Sequence, residues 1–241
     1  MTTIARDAES RGDLIAWFES DDAPESPVTL TCGPDEAAVL VVDGEALRTL
    51  GPGRHALSSD DEALAEWIDG EVDAVQVAFL TTTPVTIEAS ADFERPGEGN
   101  TIDRGTITGS AELKVTSPEL AIGLLDSLGD DESLEDWLAD ELAVHLKAAV
   151  DGQKTFDEPS AFDGQPSPAL LQLTSGAFTE DLQDAALASA REVLEPYGFT
   201  VVSVTVAETV GEEETVQRIS KRLTEANYAR IRAEMAQKQK R

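Results

Sequence analysis

The stretch from Val28 to Leu57 constrains the fold more than any other part of the chain. A strand-like run, Val28–Cys32, enters the turn Gly33-Pro34-Asp35-Glu36, and an apolar run from Ala37 to Val42 follows. Asp43-Gly44 separates that run from Glu45–Leu50, and Gly51-Pro52-Gly53-Arg54-His55 comes next. Asp-Gly between two strand-like runs is a strong hairpin signal, because both central residues of a type I′ turn need φ > 0. Gly51 and Gly53 around Pro52 demand a second sharp reversal. The stretch therefore predicts a small meander that passes its chain on through a Gly-Pro-Gly corner.

Other segments are read by their periodicity. Residues 10–18 predict a short amphipathic helix ending in Trp17-Phe18, and Ser20–Pro27 an acidic linker. Asp61–Ile68 predicts another short helix. Val75, Val77 and Phe79 alternate with Ala74, Gln76 and Ala78, which predicts a strand with one polar face. Val85–Glu88 alternates likewise, and Glu94–Asn100 reads as a loop. The cleanest strand is carried by Ile107, Ala111, Leu113 and Val115, with Gly109 as a bulge or close-approach point.

The second half is helical. Ser117-Pro118-Glu119 combines an N-cap, a first-turn proline and an acid at the positive end of the dipole, and predicts a helix to about Leu128. Asp130-Asp131-Glu132 opens a helix whose apolar stripe is Leu134, Leu138, Leu142, His145 and Ala149. Gly152–Pro168 is a loop or insertion, and Thr179 caps a helix to about Glu195. Val202, Val204 and Val206 form a late strand, and Gly211 precedes a last helix. Strands first, then helices with one late strand, indicate an α+β fold rather than alternating βαβ units.

The order turn, Ala-Val strand, Asp-Gly, short strand, Gly-Pro-Gly-Arg-His-Ala-Leu resembles the opening of the SPFH (band 7, stomatin/prohibitin) domain. The likeness is to its soluble virion-core-protein-like branch. Arg11–Trp17 is similar to the short helix that precedes the domain there, and Val115–Leu120 to the point where a long strand hands over to a helix. Leu194–Val202, with Pro196-Tyr197-Gly198 inside it, resembles the junction before the family's C-terminal helix. The first turn departs from the family's more usual Glu-Gly-Gln, and Lys154–Gln172 matches none of it. The resemblance implies residues 1–27 as a short helix and linker, 28–210 as an SPFH-like body with a loop insertion at 153–172, and 211–241 as a basic C-terminal helix. It implies a non-enzymatic scaffold, whose last helix drives packing into higher oligomers, often beside membrane proteases or membrane-stress machinery.

Charge is the second strong signal. The net charge is −30, from 48 acidic and 18 basic residues. Such acidity suits a halophile's cytoplasmic protein, since molar salt shrinks the Debye length to about 3 Å and makes self-repulsion tolerable. It argues against nucleic acid as a ligand of the main body. Eight of the 18 basic residues lie between Val216 and Arg241, opposed only by Glu225 and Glu234; that segment is net +6, so residues 1–215 carry −36. The helix macrodipole acts over one turn and accounts for Lys238–Arg241 but not for Arg218 to Arg232. Ile219, Leu223, Ile231 and Met235 form a loose apolar stripe, and a weakly amphipathic helix needs a partner to persist. The preferred expectation is self-association, a neighbour's acidic body receiving the helix. Contact residues would be Arg218, Ile219, Lys221, Arg222, Leu223, Arg230, Ile231, Arg232 and Met235. An anionic membrane surface or a membrane-protein partner is the competing expectation. Truncation after Gly211 is expected to leave a folded body that no longer assembles.

No constellation for catalysis or metal binding is visible in the sequence. His55 and His145 are the only imidazoles, neither at ligand spacing to the other or to Cys32. His145 falls on an apolar stripe and reads as a packed core residue, His55 as part of its corner. Cys32 is the lone cysteine and reads as a small buried apolar side chain. No phosphate-cradling loop or nucleophile elbow occurs. With 48 carboxylates, adjacent acids carry no weight for acid–base chemistry. No cofactor is expected. No apolar run reaches the roughly 18 residues of a spanning helix, and the first residues lack a signal-peptide core, so the expected place is the cytoplasm, peripherally on the inner membrane face. The alternative function is a small-ligand binder or hydrolase with an acidic pocket between the Glu94–Asn100 and Gly152–Pro168 loops.

Overall fold

A computed structural model describes residues 2–10, 13–19, 28–42, 45–57, 75–96, 102–128, 133–152, 173–176 and 178–238. Strands dominate its first half and helices its second, an α+β arrangement. The strands are β1 (Thr2–Ala5), β2 (Ile15–Glu19), β3 (Val28–Cys32), β4 (Glu36–Val42), β5 (Glu45–Leu50), β6 (Gly53–Leu57), β7 (Val75–Thr81), β8 (Val85–Pro96), β9 (Ile102–Val115) and β10 (Phe199–Gly211). The helices are α1 (Pro118–Ser127), α2 (Leu134–Gly152), α3 (Thr179–Leu194) and α4 (Glu213–Lys238), with a 3₁₀ turn at Glu195–Tyr197. The chain divides into two compact units: Met1–Glu88, Ser110–Leu142 and Leu187–Val204 form the first, Ala89–Gly109, Ala143–Ala186 and Thr205–Arg241 the second.

In the first unit two sheets share one core. The sheet orders are β1-β3-β6 and β2-β7-β4-β5. Ile4, Val28, Leu30, Cys32 and Leu57 from the former join Ala38, Leu40, Leu50, Val77 and Phe79 from the latter in a single buried cluster. The expected meander is thus divided between layers. β3 pairs with β6, while β4 pairs with β5 and β7. The Gly33–Glu36 turn carries the chain from one layer to the other, and Gly51-Pro52 carries it back. The driving force is burial: β4 is apolar on both faces from Ala37 to Val41 and occupies an inner position, where an edge-on meander would leave one face wet. Val42 and Glu45 are register partners across the Asp43-Gly44 step, which itself lies outside the described residues. Gly53 takes φ +129, a region that favours glycine.

Several expectations are corrected by pairing. Ile15–Glu19 is a strand, not part of a helix at 10–18: it pairs antiparallel with β7, from Ile15↔Leu80 to Glu19↔Gln76. A helix this short is marginal by itself, whereas a sheet edge takes Ile, Trp and Phe readily. β7 has no polar face; Ala78 and Leu80 are as buried as Val77 and Phe79, so both faces of this inner strand are covered. β1 pairs parallel with β3, a departure from an all-antiparallel half, and the long connection between them permits it. Glu94–Pro96 completes β8 rather than starting a loop. Expectations for Ser20–Pro27, Asp61–Ile68, Asp130–Glu132 and 153–172 lie outside the described residues.

The third sheet has the order β8-β9-β10. β9 alternates as expected, with Asp103, Gly105, Ile107, Gly109, Ala111, Leu113 and Val115 inward. A Cβ on Gly109 would stand 2.6 Å from the Thr205 carbonyl oxygen, so the close approach expected there is present. On β10 the phase changes: Val201 and Val204 are buried and Val202 is exposed, against the expected Val202–Val204–Val206 face.

Helix ends also differ in detail. Ser117 stands at the N-cap of α1 without a side-chain hydrogen bond, and Pro118 is at the first position as expected. Thr179 donates its hydroxyl to the Gly176 carbonyl instead of capping α3. Ser133 is a true cap: its hydroxyl oxygen accepts from the Asp136 amide and donates to the Asp136 carboxylate. α2 buries Leu134, Leu138, Leu142, His145, Leu146, Ala149 and Val150, which includes the whole expected stripe.

Candidate functional site

α4 is built in two parts. At its start the Glu212 amide donates to the Arg104 carbonyl at 2.9 Å, and Glu213-Glu214 place negative charge on the positive end of the dipole. Thr215 and Ile219 are buried, one turn apart on one face. Between them in sequence, Arg218 donates to the Asp103 carboxylate at 2.8 Å and to the Ile102 carbonyl at 2.9 Å. Asp103 is buried and Arg218 about one-third exposed, so the pair is shielded on one side and exceeds a surface ion pair in worth. Nearby, Arg104 meets Glu94 at 2.7 Å. Its pKa is raised, first by that hydrogen bond and then by the Glu94 charge.

From Lys221 onward every side chain described is exposed. Leu223, Tyr228, Ile231 (50% exposed) and Met235 (59%) continue the apolar row that Ile219 begins. At roughly 100° per residue, Leu223, Ile231, Met235 and Tyr228 share one sector of the helix. Arg230 flanks that sector on one side, and Lys221 and Arg232 flank it on the other. The nine expected contact residues therefore separate. Arg218 and Ile219 are engaged within their own chain. Lys221, Leu223, Arg230, Ile231, Arg232 and Met235 are exposed together, and the side chain of Arg222 lies outside the described set.

Asp103 was not foreseen, although a signal exists: it is a charged residue in the inward phase of β9, and such a residue requires a buried partner. The same geometry corrects the proposed truncation point. A cut after Gly211 removes Thr215, Arg218 and Ile219 from the body, whereas a cut after Ser220 does not.

Among the described residues, cavities of a size to take a small molecule include two with charged linings. One, about 440 Å³, is lined by Arg6, Thr31, Gly33, Asp35, Glu36 and Thr81 among others. Arg6 is buried there, and its guanidinium donates to the Ser10 and Asp13 carbonyls and to the Thr81 hydroxyl, tying the β1–β2 connection to β7. The other, about 330 Å³, lies by Asp92, Glu94, Arg104 and Glu212, where Asp92 accepts from Thr106 and Glu94 from Arg104. Among the described residues no group of three or more His, Cys, Asp or Glu is placed to hold one metal ion. Cys32 is buried and its thiol pKa is pushed up to about 11, chiefly by burial and then by the Glu36 charge, which leaves it protonated and unreactive near neutrality. His55 Nε2 meets the Gly51 carbonyl at 2.8 Å, a bond that closes the Gly-Pro-Gly corner. His145 is buried, as expected of a packed histidine. No described helix is long and apolar enough to cross a membrane.

No protein-family model matches the chain, and no curated protein matches it.

Proposed function

We propose that this chain is a non-enzymatic scaffold of the SPFH, band 7-like type that self-assembles through the distal part of α4 and holds protein partners in the assembly. The observation that carries the reading is the exposed apolar row Leu223–Tyr228–Ile231–Met235 on a helix segment whose described side chains touch water throughout. Lys221–Lys238 would extend about 27 Å as a helix. A lone helix of that length is marginal in water and persists when a partner covers its apolar row. Opposite charge supports a second copy as that partner, since the helix segment is basic and residues 1–215 carry −36.

The SPFH assignment rests on the ordered sequence features from Val28 to Val202, and it is supported by an α+β body in which the late strand β10 leads into a basic helix. The proposed setting is the cytoplasm of a halophile, peripherally on the inner membrane face, with a membrane protein as a further partner. A small-ligand binder or hydrolase remains the alternative; the Arg6 hydrogen bonds and the Glu94–Arg104 pair give both cavities structural roles that favour the scaffold.

Light scattering after size exclusion in molar KCl tests the reading. The full chain is expected to run as many protomers and the chain cut after Ser220 as one. A full-length particle of 25.7 kDa would overturn it.

A further inference from the structure

We infer that the α4 row of one copy docks on an apolar patch of the next copy formed by Leu120, Trp137 and Tyr197, an inference that rests on the assembly reading above. Leu120 on α1 is 50% exposed and Tyr197 in the 3₁₀ turn is 39% exposed. Trp137 on α2 is half-buried and meets Tyr197 edge to face, ring centroids 5.4 Å apart at 76°. The patch is rigid where it must be. The Thr116 and Ser117 amides both donate to the Gly198 carbonyl, at 2.8 and 3.1 Å. Gly198 takes φ +86, and a Cβ there would overlap the Ser117 carbonyl and approach Leu120 Cβ within 3.1 Å. Backbone contact thus locks the Tyr197–Gly198 corner onto the start of α1, with Gly198 against Leu120. All of these residues belong to the first unit.

Such exposed aromatic and leucine surface, held rigid, is the usual anchor of an interface. Its rim names the partner. Glu195 is exposed next to Tyr197, and Asp140 is exposed one turn along α2 from Trp137. An apolar centre with a carboxylate rim complements an apolar row flanked by Lys221 and Arg232. An anionic membrane surface would not supply the acidic rim's partner, whereas the basic segment of a second copy does. In molar salt the rim charges are screened and set register, while the apolar centre supplies affinity. The contact is heterologous, helix of one copy on patch of the next, so repetition gives a ring if the rotation closes and a filament if it does not.

Two full-length variants and their mixture decide it. Leu120→Glu spoils the patch and leaves the helix; Ile231→Glu with Met235→Glu spoils the helix and leaves the patch. Each alone should be monomeric in molar KCl, with the assembly midpoint raised roughly 30-fold or more. Their equimolar mixture should form a 1:1 pair, because one good helix meets one good patch. If Leu120→Glu loses its circular dichroism signal, the milder Leu120→Ala, which removes apolar contact without adding a charge, takes its place, and the same mixture is run. Assembly of the patch variant as in wild type, with the helix variant monomeric, would overturn this inference and leave the assembly reading standing. Wild-type assembly by both variants would overturn both, as would a monomeric wild type.

Discussion

The first two turns of α4 and the remainder of the same helix differ in one respect, and it decides their roles. Glu213–Ser220 is tied to its own chain by buried Thr215 and Ile219 and by the Arg218–Asp103 pair. Beyond Ser220 apolar residues recur on a neighbouring sector of the helix, and every side chain described there is exposed. Helix periodicity is thus not a measure of where the burying partner comes from. One half of the helix buries its apolar residues in the fold, and the other leaves them exposed.

Truncation breaks or sharpens this division most strongly. Ending the chain after Gly211 should destabilise the body by about 4 kcal/mol or more, through loss of Ile219, Thr215 and the partner of buried Asp103. Ending it after Ser220 should change the urea midpoint of the monomer by less than about 0.5 kcal/mol. Equal stability of the two products would erase the division. Next in size, Ile219→Ala should cost about 2–4 kcal/mol in chemical denaturation, the transfer loss plus the cavity left behind.

A perturbation confined to the two-sheet core supplies a control that spares the helix. The Cys32 thiol has a folded pKa of about 11 against an ordinary 9.0. A raised acid pKa stabilises the fold fully below the lower value and loses that contribution as pH rises through the upper one. Between pH 9 and pH 11 wild type should therefore lose on the order of 2 kcal/mol relative to Cys32→Ala. Parallel pH profiles for the two proteins would show that the thiol is not shielded. Smaller again, Asp103→Ala should cost on the order of 1–2 kcal/mol, since Arg218 keeps its bond to the Ile102 carbonyl and some access to water. Smallest on monomer stability is Ile231→Ala, within about 0.5 kcal/mol, even though assembly should weaken sharply. A clear loss of monomer stability would place Ile231 inside its own fold.

Much of the fold was legible. The alternation of β9, the stripe of α2, Pro118 at the start of α1 and the close approach at Gly109 all follow from residue spacing. Errors fell where a partner distant in sequence chose the outcome. Ile15–Glu19 became a strand because β7 offered it an edge, and β7 is buried on its alanine face as well as its valine face. The candidate site shows the same split. The basic apolar helix was visible as a charge cluster, whereas the proposed receiving patch joins Leu120, Trp137 and Tyr197 from three separate elements and carries no local pattern.

Local periodicity and charge determined that this chain builds strands before helices and ends in a basic amphipathic segment, because both properties are written in neighbouring residues. Tertiary structure decided which sheet each strand joined, that Arg218 and Ile219 face inward, and where along α4 the body ends. Those outcomes depend on apolar area and buried charge finding partners a hundred or more residues away, as Arg218 finds Asp103, and no window of sequence contains both.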